Sequence, residues 1–331
     1  MALMHGHSGH SHGAHGGQHT GCLTAGESAA LTGKVTQLSV AMAILLVAVK
    51  ATAWLASGSI SLLGSMGDSA LDLVAALSTF FAVRYAAEPP DAEHRFGHGK
   101  AEAFASLIQA GLVFASGALI GREAVGRILS PQPVGAEIYG ILVMVMSIIA
   151  VTGLVWAQTK VLARTGSVAV HGDRAHYLAD IICNIAALIG LGGSLIFHEP
   201  RIDAIAGLFV AGWLVRGAVG VFREAANQLM DRELGEDERK QIIALASVDP
   251  RVMGVHQLRS RASGPFVHLQ MHMDLDPQLS LVEAHKIVVA AERRILDAFP
   301  AADILIHQDP DGYAEPHGGA FGEIGQDGHA H

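Results

Sequence analysis

Six long, mostly apolar stretches constrain this chain more than any other feature, at about 35–57, 59–86, 102–123, 136–160, 175–197 and 202–223. Each approaches the ~20 residues that cross ~30 Å of hydrocarbon as a helix, a structure that pairs its own backbone N–H and C=O groups without water. The predicted fold is therefore a polytopic α-helical membrane protein with six transmembrane helices. Only 16% of the residues are charged, against roughly a quarter in soluble globular chains. The short Ser57-Gly58-Ser59 link makes the first two spans a tight hairpin. Basic residues set the orientation. Lys34, Arg84, Arg95, Lys100, Lys160, Arg164, Arg174, Arg223 and Arg232 fall on one side, against Arg122, Arg127 and Arg201 on the other. Both termini are thus expected in the cytoplasm.

Two segments flank the spans. Residues 1–34 form a His-rich head, expected to be disordered, with His5, His7, His10, His12, His15 and His19. No basic stretch leads there into a short apolar core, so a secretory signal is not expected. A flexible metal-scavenging arm of accessory importance fits better. After the membrane region (35–230), residues 231–311 read as a soluble α+β domain. An amphipathic helix at 236–247 is followed by strands at 252–261 and 266–275, a helix at 281–299 and a strand at 303–307. This αββαβ order suggests a ferredoxin-like fold. Residues 312–331 are a Gly/His tail, also expected to be disordered. A net charge of −9 without a Lys/Arg stripe argues against nucleic acid as a partner. Cys22 and Cys183 provide no disulfide framework, and 19 histidines point toward metal.

Ionisable residues inside spans are costly and mark function. The second span carries Asp68 and Asp72, and the fifth carries His176 and Asp180, each pair at i/i+4 on one helix face. Three carboxylates and one imidazole suit a tetrahedral divalent ion. Three ionised aspartates leave an empty site at −3, which favours proton uptake, and an arriving Zn²⁺ competes for the same lone pairs. Lys50, in the first span, is read as snorkelling or pairing with an acid. Between spans two and three, Asp91, His94 and His98 have the spacing for a second ion near the cytoplasmic surface, or form an ordinary solvated loop. In the soluble domain, His256, His272, His285, His307 and Asp309 lie at ends of elements able to converge on metal, with Asp309 placed to bridge two ions. His268 is a weaker candidate.

Four motifs carry a resemblance: Asp68-x-x-x-Asp72, His176-x-x-x-Asp180, His94-Arg95-Phe96-Gly97-His98-Gly99-Lys100, and Ile306-His307-Gln308-Asp309-Pro310. Over about 35–311 the chain resembles the cation diffusion facilitator family, in particular its bacterial zinc/proton antiporter branch. The resemblance implies a homodimer in the bacterial inner membrane, with a cytoplasmic metallochaperone-like domain. It implies that Asp68, Asp72, His176 and Asp180 are the transport site, and that Asp91, His94 and His98 are the loop site. It further implies that His256, His272, His285, His307 and Asp309, with Gln308 beside them, hold two regulatory ions at the dimer interface. Lys100 and Asp231 match a charged pair that locks the dimer. A histidine in the fifth span resembles zinc and cadmium transporters more than manganese ones. His171, Gly172 and Arg174 depart from the usual pattern at the entrance to the fifth span.

The expected function is proton-coupled export of a divalent cation from the cytoplasm, Zn²⁺ first, with protons as counter-ion and Zn²⁺ also as regulatory ligand. Export of Fe²⁺, Co²⁺ or Cd²⁺ by the same mechanism, or a membrane metal sensor without transport, are the alternatives. No H-E-x-x-H motif or nucleophile–base pair supports a membrane metalloenzyme, and a closed four-ligand site does not suit a channel.

Overall fold

The computed structural model describes residues 23–57, 60–130, 138–197 and 201–313. The head histidines, Cys22 and nearly all of the tail lie outside these residues. Six long helices come first: α1 Ala25–Ser57, α2 Ile60–Ala86, α3 Ala101–Leu129, α4 Ile138–Thr165, α5 Val168–Phe197 and α6 Arg201–Leu229. Then follow α7 Glu236–Ala246, β1 Val252–Ser263, β2 Phe266–Leu275, α8 Leu281–Ala298 and β3 Ala302–Pro310. The long helices have 27 to 33 residues, so each outspans ~30 Å of hydrocarbon. Five of them, α1 to α4 and α6, are long and apolar enough to cross a membrane. The sixth, α5, carries Asp173, Arg174, His176 and Asp180 in its first half. Large apolar side chains such as Leu55, Leu71, Phe81, Leu119 and Phe209 point outward. Small residues such as Ala43, Ala75, Ala103 and Ala105 fill the interior, as close helix packing in lipid requires.

Two helix starts differ from the sequence-based expectation. Helix α1 begins at Ala25, within the stretch expected to be disordered. Thr24 and Glu27 form a reciprocal cap there: the Glu27 N–H donates to Thr24 Oγ1 at 3.2 Å, and the Thr24 N–H donates to Glu27 Oε2 at 3.0 Å. The added turns bury Ser28 and Thr32, continuing a stripe that includes buried Thr36 and Ser39. The Oγ1 atoms of Thr32 and Thr36 donate to carbonyls four residues back, so these buried hydroxyls are paired within the helix. Helix α5 begins at Val168, not near 175. Gly166, at φ +62°, ends α4, and the Ser167 hydroxyl accepts from the Val170 N–H at 3.3 Å.

The C-terminal domain has a mixed three-stranded sheet of order β1-β2-β3, with β1/β2 antiparallel and β2/β3 parallel across the α8 crossover. Period-two alternation sorts its faces. Val267, Leu269, Met271, Met273 and Leu275 pack in one core with Ile242, Ala246, Ile287, Val288, Ala291 and Ile295 of the two helices. The opposite face carries the polar residues His268, Gln270, His272 and Asp274.

The two domains meet closely. A Cβ on Gly99 would lie 2.0 Å from the Ser263 carbonyl oxygen, so the loop and the β1–β2 turn approach backbone to backbone. Lys100 Nζ lies 2.9 Å from Asp231 Oδ1, and Arg261 Nη1 lies 3.1 Å from Asp231 Oδ2. Asp231, at φ +56°, turns the chain out of α6. Partial burial works against its charge, but the Lys100 hydrogen bond and the Arg261 guanidinium prevail and hold its carboxyl below the usual carboxylate range. A lowered folded-state pKa contributes stability above the usual carboxylate range, and that stability fades as pH falls through the lowered value. Because the pair is more than a third exposed, the effect is modest. Asp231→Asn should lower the melting temperature at pH 7 by about 2 °C, and melting curves should show the difference shrinking toward pH 3.

Candidate metal centres

Helices α2 and α5 bring the first cluster together. His176 Nε2 lies 3.0 Å from Asp72 Oδ1 and 3.9 Å from Asp180 Oδ2. One donor atom from each of Asp72, His176 and Asp180 lies within 4.8 Å of the others. His176 is buried, while Asp72 and Asp180 are half-buried. Two acids on one imidazole nitrogen is a geometry that a cation can replace. Asp68, one turn before Asp72, is exposed and outside this cluster. Lys50 Nζ donates to Ser69 Oγ at 2.7 Å, beside Asp68 rather than within the cluster.

The loop after α2 forms a second cluster. Asp91 Oδ1 is 3.3 Å from His94 Nδ1, and Asp91 Oδ2 is 3.3 Å from His98 Nε2. Backbone N–H groups of His94 and Glu93 donate to Asp91 Oδ1 at 2.6 and 2.8 Å. These bonds, the His94 N–H foremost, hold the Asp91 carboxyl below its usual range. It is therefore ionised at neutral pH and suited to a cation. His98 is buried against Tyr85, with ring centroids 4.4 Å apart.

Strand register explains the third cluster. His256 pairs with His272, and His272 with His307, giving one histidine per strand in a single row. The next row holds Gly254, Asp274 and Asp309. Gln257, at φ +50°, lies within the register shift that follows His256. Buried Asp309 is the hub: its carboxylate lies 2.7 Å from His272 Nδ1, 3.2 Å from His307 Nε2 and 3.7 Å from His256 Nε2. Asp274 Oδ1 sits 3.2 Å from His256 Nε2. Sequence reasoning passed over Asp274, although its i+2 spacing from His272 puts it on the same face. Exposed His285, on α8, is not in this cluster. His268 lies away from it, beside Asp303 at 3.2 Å. Gln308 points toward the core side of β3, alternating with His307 and Asp309.

A buried network went unnoticed in the sequence, because lone polar residues within apolar runs carry no periodic signal. Asp173 accepts from Ser39 Oγ at 2.7 Å, Gln158 Nε2 at 2.8 Å and Gln109 Nε2 at 3.3 Å. Nearby, Ser167 Oγ donates to buried Glu102 at 2.5 Å, and His171 Nδ1 lies 2.5 Å from Glu224 Oε2.

Comparison with known proteins assigns the fold. The profile of the cation efflux transmembrane domain matches residues 36–230. The chain belongs to the cation efflux family. Residues 234–311 match the cytoplasmic domain of cation efflux proteins. Among relatives of this family member, the cation-efflux pump FieF of Shewanella oneidensis is 40% identical over 83% of this chain and 93% of its own. FieF of Cronobacter sakazakii is 38% identical over 81% of this chain and 89% of its own. Among solved structures, the zinc form of CzrB is 31% identical over 26% of this chain and 99% of that chain, with a TM-score of 0.24. The FieF relatives are efflux pumps, not enzymes, which sets the metalloenzyme alternative aside.

Proposed function

We propose that this family member exports a divalent cation, zinc first, from the cytoplasm of a bacterial cell in exchange for protons. The membrane domain (35–230) alternates access to a site formed by Asp72, His176 and Asp180, with Asp68 swinging in as fourth ligand. The observation that carries this reading is the convergence of Asp72, His176 and Asp180 from two facing helices inside the membrane region. The charge count supplies the coupling. A dication and protons compete for the lone pairs of the same three carboxylates, so binding one releases the other, and the reverse exchange follows on the far side. Zinc fits the mixed N/O donor set, and Fe²⁺, Co²⁺ and Cd²⁺ are its competitors.

Asp91, His94 and His98 bind an ion on the approach to the site. In the cytoplasmic domain (231–311) zinc binds His256, His272, His307 and Asp309. A second copy of the chain completes that site through exposed His285, with Lys100 and Asp231 steadying the junction. Filling the site ties two protomers together and favours transport. Both termini lie in the cytoplasm, and the head (1–34) and tail (312–331) contribute weakly.

The decisive experiment is radiozinc uptake into proteoliposomes with an acidic lumen and a neutral exterior. Saturable uptake that collapses with the proton gradient is expected, with competitor metals ranking selectivity. Zinc-responsive dimerisation without gradient-dependent flux of any of these metals would replace the carrier by a sensor.

A further inference from the structure

Four of the six long helices meet at one buried carboxylate, and a fifth joins through one of its partners. Asp173 of α5 receives the hydroxyl of Ser39 from α1 and the amides of Gln109 and Gln158 from α3 and α4. The same Gln109 amide reaches α2, at 3.2 Å from the Ala75 carbonyl and 3.0 Å from Thr79 Oγ1. Tyr177 closes the circle, its hydroxyl donating to the Ser39 carbonyl at 3.1 Å. Asp173 and Gln109 are each 1% exposed, and Gln158 is 0% exposed.

The position of this hub is informative. Asp173 lies one turn before His176 on α5, and Ala75 lies one turn after Asp72 on α2. Both steps lead from the metal cluster toward the end where α2 stops and α5 starts, the end that carries the C-terminal domain. There the bundle is tight: Val168, Ala169 and Val170 are buried, and a Cβ on Gly172 would lie 2.8 Å from Ser106 Oγ. Oε1 of Gln109 and Oε1 of Gln158 are also buried without a hydrogen-bond partner among the described residues. A network serving only as fold anchor is expected to pair its buried acceptors. Two spare acceptors beside one carboxylate suit bonds that rearrange.

We propose that the Asp173 hub is a gate between the metal cluster and the C-terminal domain, with Asp173 as the positioning residue that holds it shut. Its hydrogen bonds break whenever the cluster opens to that side. This proposal rests on the carrier reading, because a gate has meaning only where access alternates.

The test uses full-length protein, wild type, Asp173→Ala and Asp173→Asn. In the asparagine variant the spare glutamine oxygens can turn to accept the new amide, so the hub survives. Hydrogen–deuterium exchange in detergent should rise about tenfold or more over residues 36–42 and 168–175 in Asp173→Ala. It should stay unchanged over residues 204–213, and Asp173→Asn should track wild type. In proteoliposomes with the C-terminal domain outside, Asp173→Ala should lower both the apparent KM for zinc and Vmax, because a site biased open to one side fills readily and releases poorly. Unchanged exchange in Asp173→Ala overturns the gate. An increase spread over all six helices reduces Asp173 to a fold anchor and also overturns it, as does a fall in Vmax with KM unchanged. The expected rise in exchange in Asp173→Ala, alongside wild-type protein that moves no zinc, would instead fault the carrier reading.

Discussion

Asp180→Ala protein should move zinc at about one-hundredth of the wild-type rate or less, and Asp72→Ala should do the same. The magnitude follows from the geometry. Groups that merely orient metal ligands are typically worth 10- to 100-fold in affinity or activity, so loss of a ligand itself should reach at least the upper figure. Asp72 and Asp180 flank the same His176 nitrogen at 3.0 and 3.9 Å, so removing either leaves the preformed cluster one carboxylate to receive a dication in a low dielectric, before Asp68 joins. Asp68→Ala should cost less, about tenfold, because Asp68 lies outside the preformed cluster. Conservative Asp180→Asn should be nearly as inactive as the alanine variant, since its amide keeps the shape and loses both charge and exchangeable proton. Initial rates of radiozinc uptake, with folding checked by size-exclusion profile, measure all four. If Asp180→Asn kept wild-type flux, neither metal nor proton would be handled by that carboxylate.

Paired charges made this site legible in the sequence, since i/i+4 spacing within an apolar run has few structural explanations. The soluble domain was legible through alternation: its helices and strands begin and end within a few residues of their expected limits. Single polar residues were not. Asp173, Gln109 and Gln158 each interrupt an apolar run once, and only the crossing of α1, α3, α4 and α5 brings them to a shared point. The start of α1 was hidden for a related reason, because Ser28 and Thr32 lie in the head expected to be disordered, and only the structure shows the Thr32 hydroxyl bonding back to the Ser28 carbonyl. Asp274 was recoverable from strand periodicity, but its pairing with His256 depends on the β1–β2 register, which follows from the connecting turn and the bulge.

Asp309→Ala should remove most of the response of the C-terminal domain to zinc. In the wild type, a ligand present at 100 times its Kd stabilises the folded state by about 2.7 kcal/mol. A site that loses its central carboxylate and about 100-fold in affinity keeps only about 0.4 kcal/mol at the same zinc concentration. The carboxylate is central because it approaches all three histidines of the cross-strand row, His256, His272 and His307. Asp274 lies 3.2 Å from His256. Asp274→Asn should therefore weaken zinc about tenfold through the orientation of His256, without erasing the response. The measurement is thermal unfolding of the full-length protein against zinc concentration, in an Asp72→Ala, Asp180→Ala background that silences the membrane cluster. Zinc bound at the Asp91, His94 and His98 loop would add a constant offset shared by every variant, so the comparison isolates the sheet. If Asp309→Ala kept the full zinc-dependent shift, the row of histidines would be a surface feature and regulation would have to act through the loop. If the shift disappears, and flux of an Asp309→Ala chain with its membrane cluster intact loses its dependence on cytoplasmic zinc, the same carboxylate that gathers three strands' histidines also carries the signal to the membrane domain.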